Sequence, residues 1–150
     1  MGMDIKGLAP INEQGKYFRN NIWFWRPLAF YCEHVAPGLT NYEAWHFNDG
    51  AGLNNTGALA LASFLHTELI SGRTLAYQEK WIAEQQAEPD EECSLCKGTG
   101  TREDHFVTGP CNGCNGKGVR RPFMTMYPFE VQNVEEWTHF LLNCGGFEIW

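Results

Sequence analysis

No stretch of this chain approaches the roughly 18 consecutive apolar residues that a membrane-spanning helix requires. The opening MGMDIKGLAPINEQGK also lacks an apolar run suited to a signal peptide. Met1-Gly2 begins like a myristoylation signal, but Lys6 stands where Ser or Thr is needed. These absences point to a soluble, cytoplasmic protein, a setting in which cysteines serve as thiols or metal ligands rather than disulfides. Cations are scarce as well: 11 Lys and Arg face 18 Asp and Glu, for a net charge of −7. That balance disfavours broad nucleic-acid binding, which depends on neutralising phosphates. A base paired with a nucleophile is missing too. Cys32 and His34 are the nearest approach, but two positions apart on a helix their side chains point away from each other. No enzyme is expected.

What the chain does have is apolar and aromatic mass. Its 150 residues are 43% hydrophobic and 14% aromatic, with six Trp and ten Phe, enough for a real core and too much for disorder. Charge is unevenly spread. Residues 93–122 hold Lys97, Arg102, Lys117, Arg120 and Arg121 against Glu103 and Asp104, a local +3 that leaves −10 elsewhere. Just ahead of Cys93, the segment EPDEE (Glu88–Glu92) reads as a charged, proline-broken hinge. The expected organisation is an acidic body, residues 1–92 and 119–150, carrying an inserted lobe over 93–118.

Within the body, MDIKGLA reads as a short strand ended by Pro10, and YFRNNIWFW (Tyr17–Trp25) as a strand of alternating aromatics. Arg26-Pro27 then opens a helix with Leu28, Tyr31, Cys32 and Val35 on one face, stopped by Pro37-Gly38. NDGAGLNN (Asn48–Asn55) is a turn feeding a helix capped at Asn55 or Thr56, with Ala58, Leu61, Ala62, Leu65 and Leu69 as its apolar stripe and Gly72 as its stop. Thr74 caps a further helix to about Gln86, with Leu75, Trp81 and Ile82 as contacts. RRPFMTMYPFE is extended. Asn133 caps a last helix placing Val134, Trp137, Phe140, Leu141 and Cys144 on one face, and FEIW (Phe147–Trp150) is a final strand able to pair with the first. The fold class is α+β: a compact helical body, a small sheet of terminal strands, and the inserted lobe.

The lobe repeats one pattern, Cys-x-x-Cys-x-Gly-x-Gly, at Cys93–Gly100 and again at Cys111–Gly118. Zn²⁺ favours four tetrahedral thiolate or imidazole ligands, and each Cys-x-x-Cys turn presents two sulfurs to one ion. Glycines after each pair admit positive φ, so backbone N–H groups can turn back toward the thiolates. Two such turns separated by Lys97–Pro110 make one closed site of Cys93, Cys96, Cys111 and Cys114, holding a single structural Zn²⁺. Redox use is the competing chemistry, but thioredoxin-like pairs open a helix after a strand and neither pair does. His105 lies in the loop, and four cysteines suffice without it. The motif resembles the cysteine-rich region of DnaJ-type chaperones, which carries four copies and two zincs. Here there are two copies and no His-Pro-Asp of a J-domain, so the resemblance concerns metal binding alone.

A second resemblance runs along nearly the whole chain. Met1–Asp4 (MGMD), Tyr17–Leu28 (YFRNNIWFWRPL), Phe47–Leu53 (FNDGAGL), Ser71–Tyr77 (SGRTLAY), the paired cysteine motifs, Tyr127–Val134 (YPFEVQNV) and Gly145–Phe147 (GGF) are similar to an uncharacterised family of bacteriophages, prophages and bacterial genomes. That resemblance implies a phage or mobile-element setting and no particular activity.

Outside the lobe, Trp23-x-Trp25-Arg26 is the sharpest candidate site: indoles can stack a base while a guanidinium pairs with phosphate. Asn48 and Asp49 could take ribose hydroxyls, and Tyr127 could close the pocket. Core packing explains the same aromatics, and a plain turn explains Asn48-Asp49-Gly50. Three functions remain open: a non-enzymatic binder that sequesters a nucleotide-derived signal against host defence, an adaptor or inhibitor that binds a host protein, and a nucleic-acid accessory protein acting through the basic lobe.

Overall fold

In a computed structural model, residues 2–150 are described, so Met1 of the MGMD motif lies outside them. The chain divides into two units. One comprises residues up to Ile82 together with Tyr127–Trp150, and the other is Ala83–Met126. The second unit is therefore wider at both ends than the 93–118 lobe anticipated from the cysteine spacing.

The first unit is built on a four-stranded antiparallel sheet. Strand β1 (Gly2–Gly7) pairs with β2 (Tyr17–Asn21) on one side and with the C-terminal strand on the other. Helix α1 (Ile22–Val35) follows β2 without a linker. Strand β3 is Gly52–Asn54, helix α2 Asn55–Ile70 and helix α3 Arg73–Ala87. After the second unit, which contributes four short strands of its own, come α4 (Val131–Asn143) and the last strand, β8 (Gly146–Ile149). The order across the sheet is β2-β1-β8-β3, so the two ends of the chain lie side by side, Ile5 opposite Ile149. The class is α+β, with terminal strands at the centre of the sheet.

Several boundaries differ from the sequence reading, each for a local reason. The strand expected over Tyr17–Trp25 stops at Asn21, whose side chain accepts from the backbone N–H of Trp23 (3.0 Å) and Phe24 (3.2 Å). This cap starts the helix at Ile22, so Pro27 falls in its second turn rather than its first. Asn54, not Asn55 or Thr56, caps α2 by accepting from Gly57 N–H at 2.9 Å. Thr74 is not a cap: it is buried, its hydroxyl 2.9 Å from that of Tyr31. Asn133 sits inside α4, where it accepts from the Asn20 amide at 2.7 Å. Strand β3 falls inside the stretch Asn48–Asn55, where the sequence predicts only a turn. Its Gly52 lies so close to β8 that a Cβ there would come within 1.8 Å of the Phe147 carbonyl oxygen, so only glycine fits.

Three indoles centre the core. Trp25, Trp45 and Trp137 are fully buried with Tyr31, Phe140 and Phe147 around them. Trp25 meets Trp137 edge-on at 5.4 Å and donates its Nε1–H to the Trp45 carbonyl at 2.7 Å, which satisfies the polar end of a buried ring. The expected stripes of α2 and α4 face this core, with Ala58, Leu61, Ala62, Leu65, Val134, Trp137, Phe140 and Leu141 all buried. In α3 only Trp81 of the three expected contacts packs inward, and Leu75 and Ile82 are exposed. Among the described residues, no helix is long and apolar enough to cross a membrane.

Candidate metal centre and ligand cavity

The second unit turns the doubled sequence into a doubled structure. Two short ladders flank it: β4 (Glu91–Glu92) pairs with β7 (Val119–Arg120), and β5 (Thr101–Glu103) with β6 (Thr108–Pro110). Each Cys-x-x-Cys lies on a turn rather than at a helix start, which removes the helix-dipole activation that redox pairs use. The turns are near copies: Lys97 and Asn115 both have φ 52°, followed by Gly98 at 77° and Gly116 at 78°. Cys93 N–H donates to the Gly118 carbonyl at 2.9 Å, and Cys111 N–H to the Gly100 carbonyl at 2.8 Å. Each repeat thus binds the other by the same bond. The close approach needs glycine, since a Cβ on Gly100 would lie 2.4 Å from the Gly116 oxygen and one on Gly118 2.3 Å from the Gly98 oxygen.

This frame brings all four cysteines together. Their sulfurs lie within 4.8 Å of one another and all four residues are buried. Cys93 and Cys111 are 3.9 Å apart at sulfur, Cys96 and Cys114 3.7 Å. A tetrahedron with arms of about 2.3 Å has edges of about 3.8 Å, so the separations suit one zinc-sized ion. They are far beyond a disulfide's bond length of about 2.05 Å, and all six cysteines are free thiols. Gly100 N–H points at Cys96 Sγ (3.3 Å) and Gly118 N–H at Cys114 Sγ (3.2 Å), the donors that thiolate charge calls for. The Cys96 backbone N–H does most to pull the Cys93 thiol down to about 7, against the burial that pushes it up. The donor set fits a metal. Four protein ligands would leave no open position for a reacting water.

Outside the four cysteines, the lobe is less basic to a partner than its composition implies. Arg120 pairs with Glu91 at 3.0 Å, Arg121 with Asp90 at 3.1 Å, and Arg102 with Asp104. Asp104 also accepts from the N–H groups of Phe106 (2.8 Å) and Val107 (2.9 Å), stiffening the β5–β6 turn on which His105 and Phe106 are exposed.

In the first unit the six residues expected to form a pocket separate. Trp23, Arg26 and Tyr127 come together: the Trp23 and Tyr127 rings are 5.0 Å apart, and Arg26 Nη1 donates to the Tyr127 hydroxyl at 3.2 Å with its guanidinium carbon 5.8 Å from the ring centre. Trp25 is 0% exposed and belongs to the core, because the helix starting at Ile22 turns it away from Trp23 and Arg26. Asn48 and Asp49 are exposed on a turn, and among the described residues Asn48 reaches only the Gly2 carbonyl, at 3.5 Å. They do not line the cavity in which Arg26 stands.

That cavity, of about 440 Å³, is walled by Arg26, Tyr42, Glu43, His46 and Phe47. Four of these come from one short segment, NYEAWHF, in which the buried Trp45 anchors a 3-10 turn (Ala44–His46) to the core. The sequence signal was an aromatic on each side of a buried Trp. Arg26 makes no ion pair with any described residue. His46 stands edge-on to Tyr42 at 4.2 Å, and neither of its buried ring nitrogens has a hydrogen-bond partner among the described residues. Burial, and then the neighbouring Arg26 charge, push the imidazole below its ordinary value, so it is held toward the neutral form.

Compared with family models, curated proteins and solved structures, the chain matches none.

Proposed function

We propose that this chain is a zinc-stabilised, non-enzymatic binding protein that sequesters a nucleotide-derived ligand on its first unit. The observation that carries the reading is Arg26. A guanidinium has five N–H donors, and among the described residues this one gives a single hydrogen bond, to a neutral phenol, at the edge of a cavity with aromatic walls. A guanidinium that forms no ion pair with the described residues, beside stacking surfaces, suits a phosphate joined to a planar base. Zinc, held by Cys93, Cys96, Cys111 and Cys114, would order the lobe and take no part in chemistry. The phage resemblance of the sequence supplies the setting, in which the ligand is a host-defence signal and binding blunts it.

A second reading, a protein-binding adaptor, is favoured by one observation: Phe106 is 90% exposed on a turn made rigid by Asp104. The nucleic-acid reading is weakest, since three of the five lobe cations already pair with carboxylates. Calorimetry with a nucleotide panel tests the first reading. Binding to the wild type that falls about tenfold in Arg26→Ala, the loss of one charge-assisted bond, supports it. No binding by any nucleotide, with capture of a protein partner lost in Phe106→Ala, moves the adaptor ahead.

A further inference from the structure

Resting on the metal reading of the second unit and on no ligand of the first, we infer that Arg121 makes the end of helix α3 depend on metal binding. It caps that helix, and it stands in place only while the four-cysteine lobe is ordered. Helix α3 ends with too few partners of its own. Its last turn carries no basic residue to balance the carbonyl end of the helix dipole. The N–H that would normally bond the Gln85 carbonyl belongs to residue 89, and that residue is proline, which has none to give. The Glu84 carbonyl still receives Glu88 N–H at 3.2 Å, so the deficit begins at Gln85. Arg121, 36 residues further along the chain, makes it good. Its Nη2 donates to the Gln85 carbonyl, and its Nη1 to the Glu88 carbonyl and to Asp90 Oδ1, the last at 3.1 Å. One planar cation thus supplies both the missing donor and the missing charge.

Arg121 reaches the helix along the neck of the lobe. At the base, Cys93 N–H donates to the Gly118 carbonyl at 2.9 Å. The next steps are Glu92 opposite Val119 and Glu91 opposite Arg120, the latter braced by its ion pair at 3.0 Å. Asp90 with Arg121 is the step after that. The ladder that starts at the cysteine cluster therefore ends at the helix. Strands β4 and β7 are only two residues each, too short for a lone pair of strands to hold itself together. The neck depends on the cysteine cluster at its base, and the cluster on its metal. Without metal the neck opens, Arg121 is released, and the Gln85 carbonyl loses its donor. Fraying stops at Trp81, which packs against the core of the first unit and donates its Nε1–H to the Tyr127 carbonyl at 2.9 Å. Metal occupancy sets where α3 ends.

Hydrogen exchange of the full chain read by mass spectrometry, with zinc bound and after chelation, tests this. Zinc-loaded Arg121→Ala is expected to keep its zinc and the protection of the Cys93–Gly118 amides. Its amides at 83–88 should exchange about tenfold faster than in wild type, the loss of one charge-assisted bond. Chelation of the wild type should speed the same amides at least as much and leave those at 77–81 protected. In Arg121→Ala, chelation should then add no more than about twofold at 83–88, because the cap is already gone. Pro89→Ala, which restores a backbone N–H for the Gln85 carbonyl, should keep 83–88 protected after chelation. If wild-type 83–88 stays protected without metal, or if zinc-loaded Arg121→Ala protects it like the wild type, the inference alone fails. A chain that takes up no zinc fails the metal reading, and the inference with it.

Discussion

Cys32 and Cys144 carry buried thiols outside the four-cysteine cluster. Burial pushes Cys32 up to about 12 and raises Cys144 as well, so neither forms the thiolate that reacts. In folded, metal-loaded protein, iodoacetamide should label neither, and mass spectrometry should find the four lobe cysteines equally protected. A chelator should expose those four and leave Cys32 and Cys144 unlabelled. Labelling of Cys32 before unfolding would contradict its place in the core. His46 makes a pH prediction. Its folded value is depressed, so below the unfolded value of about 6.5 the unfolded chain takes up the proton first, and stability falls as the medium is acidified through that region. Above about 6.5 both states hold a neutral imidazole and its effect vanishes. Stability measured by urea at several pH values should drop less steeply on acidification in His46→Phe than in wild type, the difference isolating this group from other titrating residues.

At the scale of the elements, the junction between β2 and α1 decides which aromatic side chains reach the surface. Asn21 caps α1 through two backbone N–H groups, so Asn21→Ala should cost about 1 kcal/mol, within the usual range for a lost cap. Equilibrium urea unfolding reads this directly, and an unchanged midpoint would mean that the cap is redundant. The same junction marks where sequence reading failed. In Ile22–Trp25 the aromatic residues favour strands as residues, and alternation fits a strand as well as four residues fit the first turn of a helix. The two periods diverge only over longer runs, and the decisive information was a single asparagine acting as a cap. That error carried Trp25 into the candidate pocket with Trp23. The longer periodic segments were legible: the stripes of α2 and α4 and the terminal strand are present where the pattern put them, within a few residues. Tyr42, Glu43 and His46 were not legible as a cavity wall, since their placement follows from Trp45 entering a core built mostly from distant segments. The doubled cysteine motif was legible because its local geometry is almost wholly determined by its own spacing.

At the scale of the whole molecule, the two units differ in what holds them together. The first has a continuous apolar core of tryptophan, phenylalanine and aliphatic side chains. In the second, the buried cluster is the four cysteines themselves. Without a metal, that cluster offers only small thiols and two short ladders, too little to offset the conformational entropy of ordering the lobe. Structural zinc contributes roughly 10–16 kcal/mol in small peptides, and here that contribution would fall almost entirely on one unit. Elemental analysis of protein purified under reducing conditions is expected to give one zinc per chain. Cys96→Ser, which removes one ligand, is expected to leave a cooperative unfolding transition for the first unit with most of its near-ultraviolet tryptophan signal. Hydrogen exchange in the same variant should show amides of Cys93–Gly118 exchanging as in an unfolded chain, while those of α2 and α4 stay protected. Chelator treatment of the wild type should reproduce that pattern. If the tryptophan signal collapsed together with the lobe, the first unit would depend on the metal as well, and the division into separately stabilised units would be wrong. If the lobe amides stayed protected in Cys96→Ser, the cysteine frame would be holding itself together through its reciprocal backbone bonds, and zinc would not be its stabiliser.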